Sequence, residues 1–210
     1  MTHVKICGVT EPHSLQAAIN AGTRFIGFVF YEPSPRFVEH DIAWTLSQMV
    51  PTGVRSVGLF VDPDDTYIKH ITSSVPLDMI QLHGDETPAR VSQIKSLINM
   101  PIIKAIPVSS AQDVNQAANY EQIADWLLFD TKTDSGSGGT GQTFDWTLLK
   151  DKQFQRPWML SGRLNTNNIH SALSALKPDA VDVSSSVEES RGVKSPEKIT
   201  EFINTVKTVS

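Results

Sequence analysis

The chain has 210 residues, with 18 Lys plus Arg against 23 Asp plus Glu, a formal net charge of −5 and 40% hydrophobic residues, an ordinary globular composition. Its mild acidity and lack of any basic run argue against nucleic acid as a partner. One cysteine excludes an internal disulfide or a multi-cysteine metal site, and no apolar run approaches the ~18 residues of a membrane-spanning helix. The N-terminus MTHVKICGVT turns polar at once, unlike a signal peptide, so a reduced, cytoplasmic protein without membrane association is expected.

Short runs rich in β-branched and aromatic residues recur in chain order: VKICGV (4–9), FIGFVF (25–30), SVGLFV (56–61), MIQLH (79–83), PIIKAIPV (101–108), DWLLFDT (125–131), WMLSG (158–162) and AVDVSSS (180–186). Most are continuously apolar rather than alternating, as in parallel strands covered on both faces. Helical signals fill the gaps. Pro12 to Ala21 ends at a capping Gly22, and 39–49 follows the second strand. Asp62-Pro63 opens a segment reaching Ser73, and Thr87-Pro88 caps one carrying Val91, Ile94, Leu97 and Ile98. Weaker segments cover 113–123 and 145–152, Thr166 to Leu176 follows, and Ser195-Pro196 starts the last helix. Eight strand–helix units of about 26 residues predict an α/β chain folded as a (β/α)₈ TIM barrel, one domain over residues 1–210. An open doubly wound sheet is the competing architecture, but it leaves the last pair of strands unused.

In a (β/α)₈ barrel the chemistry sits at the C-terminal ends of the strands. That rule selects Lys5, Cys7, Arg36, Asp62, His83, Lys104, Asp130, Gly162-Arg163 and Ser184 to Ser186. Strand alternation puts Lys5 and Cys7 on one face, where the ammonium is expected to lower the thiol pKa and offer a thiolate base. The blander reading of Cys7 is a small buried hydrophobe. Asp130 closes a strongly apolar strand, where desolvation would let it donate a proton, unless it merely caps a turn. Lys5 and Lys104 invite either a Schiff base or interior ion pairing. His83 has no partner at metal-ligand spacing, so no metal is expected there. SGSGGTG (135–141) lacks a P-loop ending and reads as a linker or a substrate lid. Arg36 suits a bidentate pair with a substrate carboxylate or plain surface exposure. The small residues of LSGR and DVSSS suit close backbone approach to a phosphate.

KICGVT (5–10), GFVFYEPSPR (27–36), VGLFVD (57–62), IQLHGDE (80–86), LLFDT (127–131), GGTGQTFDW (138–146), LSGRL (160–164) and DVSSSVE (182–188) occur in that order. Together they resemble the phosphoribosylanthranilate isomerases of tryptophan biosynthesis over essentially the whole chain. The resemblance implies an Amadori rearrangement of N-(5-phosphoribosyl)anthranilate, with Cys7 as general base and Asp130 as general acid. Lys5, Arg36, His83, Gly162, Arg163, Ser185 and Ser186 would bind the small phosphorylated substrate, without metal or cofactor, in a monomer or homodimer. Two positions depart from the family pattern: Arg163 and Ser186 each stand where a glycine is usual. A left-handed backbone at either would be unfavourable for the larger residue. A histidine-pathway isomerase using the same rearrangement is the nearest rival, but it typically places an aspartate where this chain has Cys7. A Schiff-base aldolase and a non-catalytic binding barrel are the more distant rivals.

Overall fold

The computed structural model describes residues 1–132 and 143–209. Eight parallel strands close into a barrel in the order β1 to β8: His3–Cys7, Phe25–Val29, Arg55–Phe60, Met79–Leu82, Ile102–Val108, Trp126–Thr131, Trp158–Leu160 and Ala180–Val183. Closure is direct, since β1 pairs with both β2 and β8, with Lys5 opposite Phe25 on one side and Asp182 on the other.

Alternation along each strand divides the apolar residues into two cores. Outward-facing Val4, Ile6, Ile26, Phe28, Ile80, Ile102, Leu127 and Val181 pack against the helices. Inward-facing Phe25, Val57, Met79, Ile103, Leu128, Met159 and Ala180 fill the barrel floor. Each such buried side chain contributes roughly 1.5–3 kcal/mol. The lower barrel is therefore a packed plug, and the buried polar side chains Lys5, Gln81 and Asp182 lie above it.

The helices begin where capping chemistry starts them. Pro12 opens α1 (Pro12–Ala21), and Gly22 at φ 87° closes it by donating to Ala18 and Ile19 carbonyls. Helix α2 spans His40–Gln48. The Asp64 side chain caps α3 (Asp65–Ser74), and Thr87 caps α4 (Pro88–Ile98). Helix α6 covers Ile169–Ala175 and α7 Pro196–Val209.

Three helical segments are clearly shorter than the sequence predicts. The one expected over Thr166 to Leu176 is helical only over Ile169–Ala175. In place of a helix over 113–123, α5 (Ala111–Asn115) starts two residues earlier and then tightens into a 3₁₀ turn, Gln116–Asn119. Ser110 and Asp113 form a reciprocal capping box that fixes the earlier start. The 145–152 segment is a single 3₁₀ turn, Trp146–Leu149, opened by the Asp145 side chain accepting from Thr147 N–H. After β8, a 3₁₀ turn (Ser185–Val187) leads into an unforeseen hairpin of β9 (Glu188–Ser190) and β10 (Val193–Lys194). The glycine-rich stretch 135–141 lies outside the described residues.

Candidate active site

Lys5 and Cys7 project into the barrel from β1, between outward-facing neighbours. Gly27, opposite Cys7 on β2, leaves them room: a Cβ there would fall 2.9 Å from Cys7 Sγ and 3.3 Å from Lys5 Nζ. Lys5 Nζ donates to Asp182 Oδ1 at 2.8 Å, and the pair is buried. Burial opposes the lysine charge, yet Asp182 and Cys7 together outweigh it and hold the lysine pKa above its ordinary value.

The thiol moves opposite to the sequence expectation. Burial pushes Cys7 up and Asp182 adds to the rise, so the opposing pull of Lys5 does not prevail. The expected lowering fails chiefly because burial disfavours the thiolate, with the carboxylate beside the ammonium adding to it. At neutral pH Cys7 therefore rests as a thiol.

Asp130, at the end of β6, accepts from its neighbour's backbone and lies close to His83, the residue after β4. Its Oδ1 takes the Thr131 N–H at 2.7 Å, and its Oδ2 lies 3.2 Å from His83 Nε2. His83 Nδ1 lies in turn 2.7 Å from the amide nitrogen of Gln81, two residues back on the same face of β4.

Above Cys7 a cavity of about 520 Å³ opens at the C-terminal rim, lined by Arg36, Asp130, Ser161, Asp182, Gly162 to Leu164 and Val183 to Ser186. It thus brings together Arg36, Asp130, Gly162, Arg163 and the three serines. Cys7 and Lys5 are buried below and are not among its lining residues, although Asp182 belongs to both layers. Ser184 Oγ ties the rim to β1 by donating to the Cys7 carbonyl at 3.0 Å. A second cavity, about 810 Å³, lies at the opposite end of the barrel beside His3, Arg24, Arg55 and Trp126. That end of a (β/α)₈ barrel serves stability, and none of the candidate residues reaches it.

The β7 turn is left-handed at two successive residues, Gly162 (φ 92°) and Arg163 (φ 58°). Gly162 is required because a Cβ would collide with the Thr131 hydroxyl. Arg163 carries the unfavourable conformation anticipated for it, and its carbonyl is held by Asn165 Nδ2 at 3.2 Å and Asn168 Nδ2 at 3.1 Å. Ser186 is not left-handed, so its replacement of glycine brings no such strain. Its hydroxyl is buried and has no hydrogen-bond partner among the described residues.

Arg36 meets Glu188 in a two-point pair, Nε at 2.6 Å and Nη2 at 3.0 Å. Lys194 Nζ binds the same carboxylate at 2.9 Å and also donates to the Ser184 carbonyl. Burial opposes the Glu188 charge, but the bonds from Arg36 and Lys194 more than compensate and lower its pKa. Gly8 (φ 76°) makes the approach possible, since a Cβ there would fall 2.8 Å from Arg36 Cδ.

Lys104 and Asp62 stand apart from the cavity. Lys104 occupies an outward position on β5 and pairs with buried Glu86 at 2.7 Å, while the Asp62 N–H donates to Glu86 at 3.0 Å. Interior ion pairing, rather than a free amine, is the observed state of both Lys5 and Lys104. The sequence reading missed Asp182, Ser161, Glu188, Lys194 and Gln81. Alternation signals Asp182, two residues before Ser184 on the strand; nothing local signals Glu188 or Lys194.

The fold and this rim define a (β/α)₈-barrel enzyme with a thiol and a carboxyl at neighbouring depths. The family model for N-(5'phosphoribosyl)anthranilate (PRA) isomerase matches residues 4–205. The N-(5'-phosphoribosyl)anthranilate isomerase of Rhodospirillum centenum is 49% identical over 204 residues, 95% of each chain. The crystal structure of phosphoribosyl anthranilate isomerase from Thermotoga maritima superposes with a TM-score of 0.90 at 38% identity, covering 99% of this chain and 100% of that one. A phosphoribosyl anthranilate isomerase solved with reduced 1-(o-carboxyphenylamino)-1-deoxyribulose 5-phosphate gives 0.86 at 35% identity, with the same coverage. The chain belongs to the N-(5'-phosphoribosyl)anthranilate isomerase family.

Proposed function

We propose that Cys7 and Asp130 carry the two proton transfers by which this isomerase of tryptophan biosynthesis converts N-(5'-phosphoribosyl)anthranilate to 1-(2-carboxyphenylamino)-1-deoxyribulose 5-phosphate. Asp130 gives its proton to the furanose ring oxygen as the C1'–O bond breaks, and the anthranilate nitrogen supplies the electrons for C=N⁺. Cys7, once it has given up its own thiol proton, takes the C2' proton as thiolate, and the released pair forms the C1'=C2' enolamine while neutralising nitrogen. Tautomerisation moves the 2'-hydroxyl proton to C1' and leaves a ketone. The substrate's own nitrogen is the electron sink, so the chemistry calls for no metal or organic cofactor.

The observation that carries this reading is the cavity at the C-terminal rim, lined by Asp130, Asp182, Arg36 and the turns after β7 and β8, with Ser184 tying it to the Cys7 carbonyl. In it, Gly162, Arg163, Ser185 and Ser186 hold the phosphate and Arg36 faces the anthranilate carboxylate; outside its lining, Lys5 poises the thiol and His83 orients the acid. Attraction of a dianionic substrate to a chain of net charge −5 must be local, and Arg36 and Arg163 of the cavity lining provide it. Residues 1–210 act as one catalytic domain, in the cytoplasm, as a monomer or homodimer; among the structural relatives is a dimeric phosphoribosylanthranilate isomerase from Thermotoga maritima, represented by monomeric variants. Among the described residues no helix is long and apolar enough to cross a membrane.

The test is loss of anthranilate-ester fluorescence when purified protein meets freshly made substrate. Turnover by the wild type and its collapse in both Cys7→Ala and Asp130→Asn is the expected result; near-normal turnover in either variant removes that residue from its role.

A further inference from the structure

Gln81 is wholly buried in the barrel interior, yet only half of its amide is satisfied. Its nitrogen lies 2.7 Å from His83 Nδ1, and its oxygen has no partner among the described residues. A buried carbonyl left unpaired is costly, so a polar side chain at this depth needs a compensating reason.

Hydrogen-bond complementarity supplies one. An amide nitrogen can only donate, so His83 Nδ1 must be the accepting nitrogen of a neutral ring. The single ring proton then sits on Nε2, the atom 3.2 Å from Asp130 Oδ2. The reversed amide would bury two unpaired N–H groups in place of one N–H and the carbonyl. It would also set a bare Nε2 lone pair against the Asp130 carboxylate. With the amide in this orientation, a proton on Nδ1 would point at the amide hydrogens.

We propose that Gln81 is a positioning residue for the isomerase reaction: its amide fixes the Nε2–H tautomer of His83, which thereby holds the Asp130 carboxyl in place. This rests on the reading of Asp130 as the acid. Gln81 lines no part of the cavity and acts only through His83. Its place is set by the strand, since residues 81 and 83 share the inward face of β4, and the Gln81 backbone is clamped between Leu59 of β3 and Ile103 of β5.

The test combines nitrogen NMR of the ¹⁵N-labelled protein, with His83 assigned by comparison with His83→Asn, and steady-state kinetics. The wild type should show a pyridine-type Nδ1 and a protonated Nε2. Gln81→Leu should give mixed tautomers and lower kcat by roughly tenfold or more with KM little changed, the pattern of a misplaced catalytic group rather than lost binding. Gln81→Glu, similar in size but accepting, should place a proton on Nδ1. Melting temperatures separate these effects from misfolding, and the wild-type spectrum tests the tautomer even if a variant fails to fold. A wild-type Nδ1–H tautomer, unchanged His83 shifts in Gln81→Leu, or changed shifts with unchanged kcat each overturns the proposal. Normal turnover by Asp130→Asn instead sinks the acid assignment, a result the nitrogen spectra do not depend on.

Discussion

Lys5 and Asp182, 177 positions apart, join the two ends of the chain across the barrel seam, with Nζ 2.8 Å from Oδ1 inside the interior. The pair acts on the charge state of the thiol together with burial, which is the larger influence. A lone buried ammonium would draw a proton off Cys7, whereas a neutralised one leaves burial in control.

Asp182→Asn should therefore lower the Cys7 pKa, because it removes a negative neighbour and frees the Lys5 charge. The alkylation rate of Cys7 by iodoacetamide as a function of pH reports this directly, with its midpoint moving to lower pH. A midpoint that stays or rises would show that Asp182 does not govern the thiol. Lys5→Met should shift the midpoint upward and, by leaving Asp182 buried without its cation, cost about 3–5 kcal/mol in urea unfolding.

Cys7→Ala and Asp130→Asn should each lower kcat by roughly 10²–10⁴-fold, the scale of a positioned base or acid. The pH–rate profile should be bell-shaped in the wild type and lose one limb in each variant. Profiles that keep both limbs would assign the titrations to other groups.

Gly8→Ala places a methyl group 2.8 Å from Arg36 Cδ at a residue with φ 76°. The two penalties together should cost about 1–3 kcal/mol of stability. Displacing Arg36 should also raise KM more than it lowers kcat. Equal melting temperature and KM for variant and wild type would contradict the packing described for the Cys7-Gly8 turn.

Arg163→Gly relieves a left-handed arginine, a conformation that costs roughly 1–2 kcal/mol for a side-chain-bearing residue. The extra freedom of glycine in the unfolded chain offsets part of that gain. Unfolding midpoints should rise slightly or hold, while substrate affinity should fall if the guanidinium meets the phosphate. Unchanged affinity argues against direct contact.

Glu188 has its folded-state pKa lowered by Arg36 and Lys194 against the opposing effect of burial. A depressed carboxylate pKa contributes stability that is complete above its unfolded value of about 4.3 and is lost as pH falls through the folded one. Glu188→Gln should flatten the acid limb of stability below about pH 5. It should also destabilise the protein at pH 7, where two cations lose their partner. An acid limb identical to that of the wild type would remove Glu188 from its place in the linkage.

The order of eight apolar runs, the caps at Thr87, Ser195 and Gly22, and the strand-end positions of Cys7 and Asp130 are local properties, and the sequence by itself determined them. Backbone propensity, side-chain periodicity and turn chemistry act within a few residues, so they can be read without the fold. The weak segments 113–123 and 145–152 show the limit of that reading. There the capping side chains set short 3₁₀ and helical turns, and no strong apolar stripe extended them.

Everything that depends on barrel closure was left to the tertiary structure. Only closure brings Asp182 to Lys5, Glu188 to Arg36 across 152 positions, and His83 to Asp130. It also turned Lys104 outward to Glu86 while Lys5 faces inward, a matter of strand parity that identical residue types cannot announce. The direction of the Cys7 shift was decided there too. A pKa is the sum of burial and all surrounding charges, and those neighbours come from strands at opposite ends of the chain.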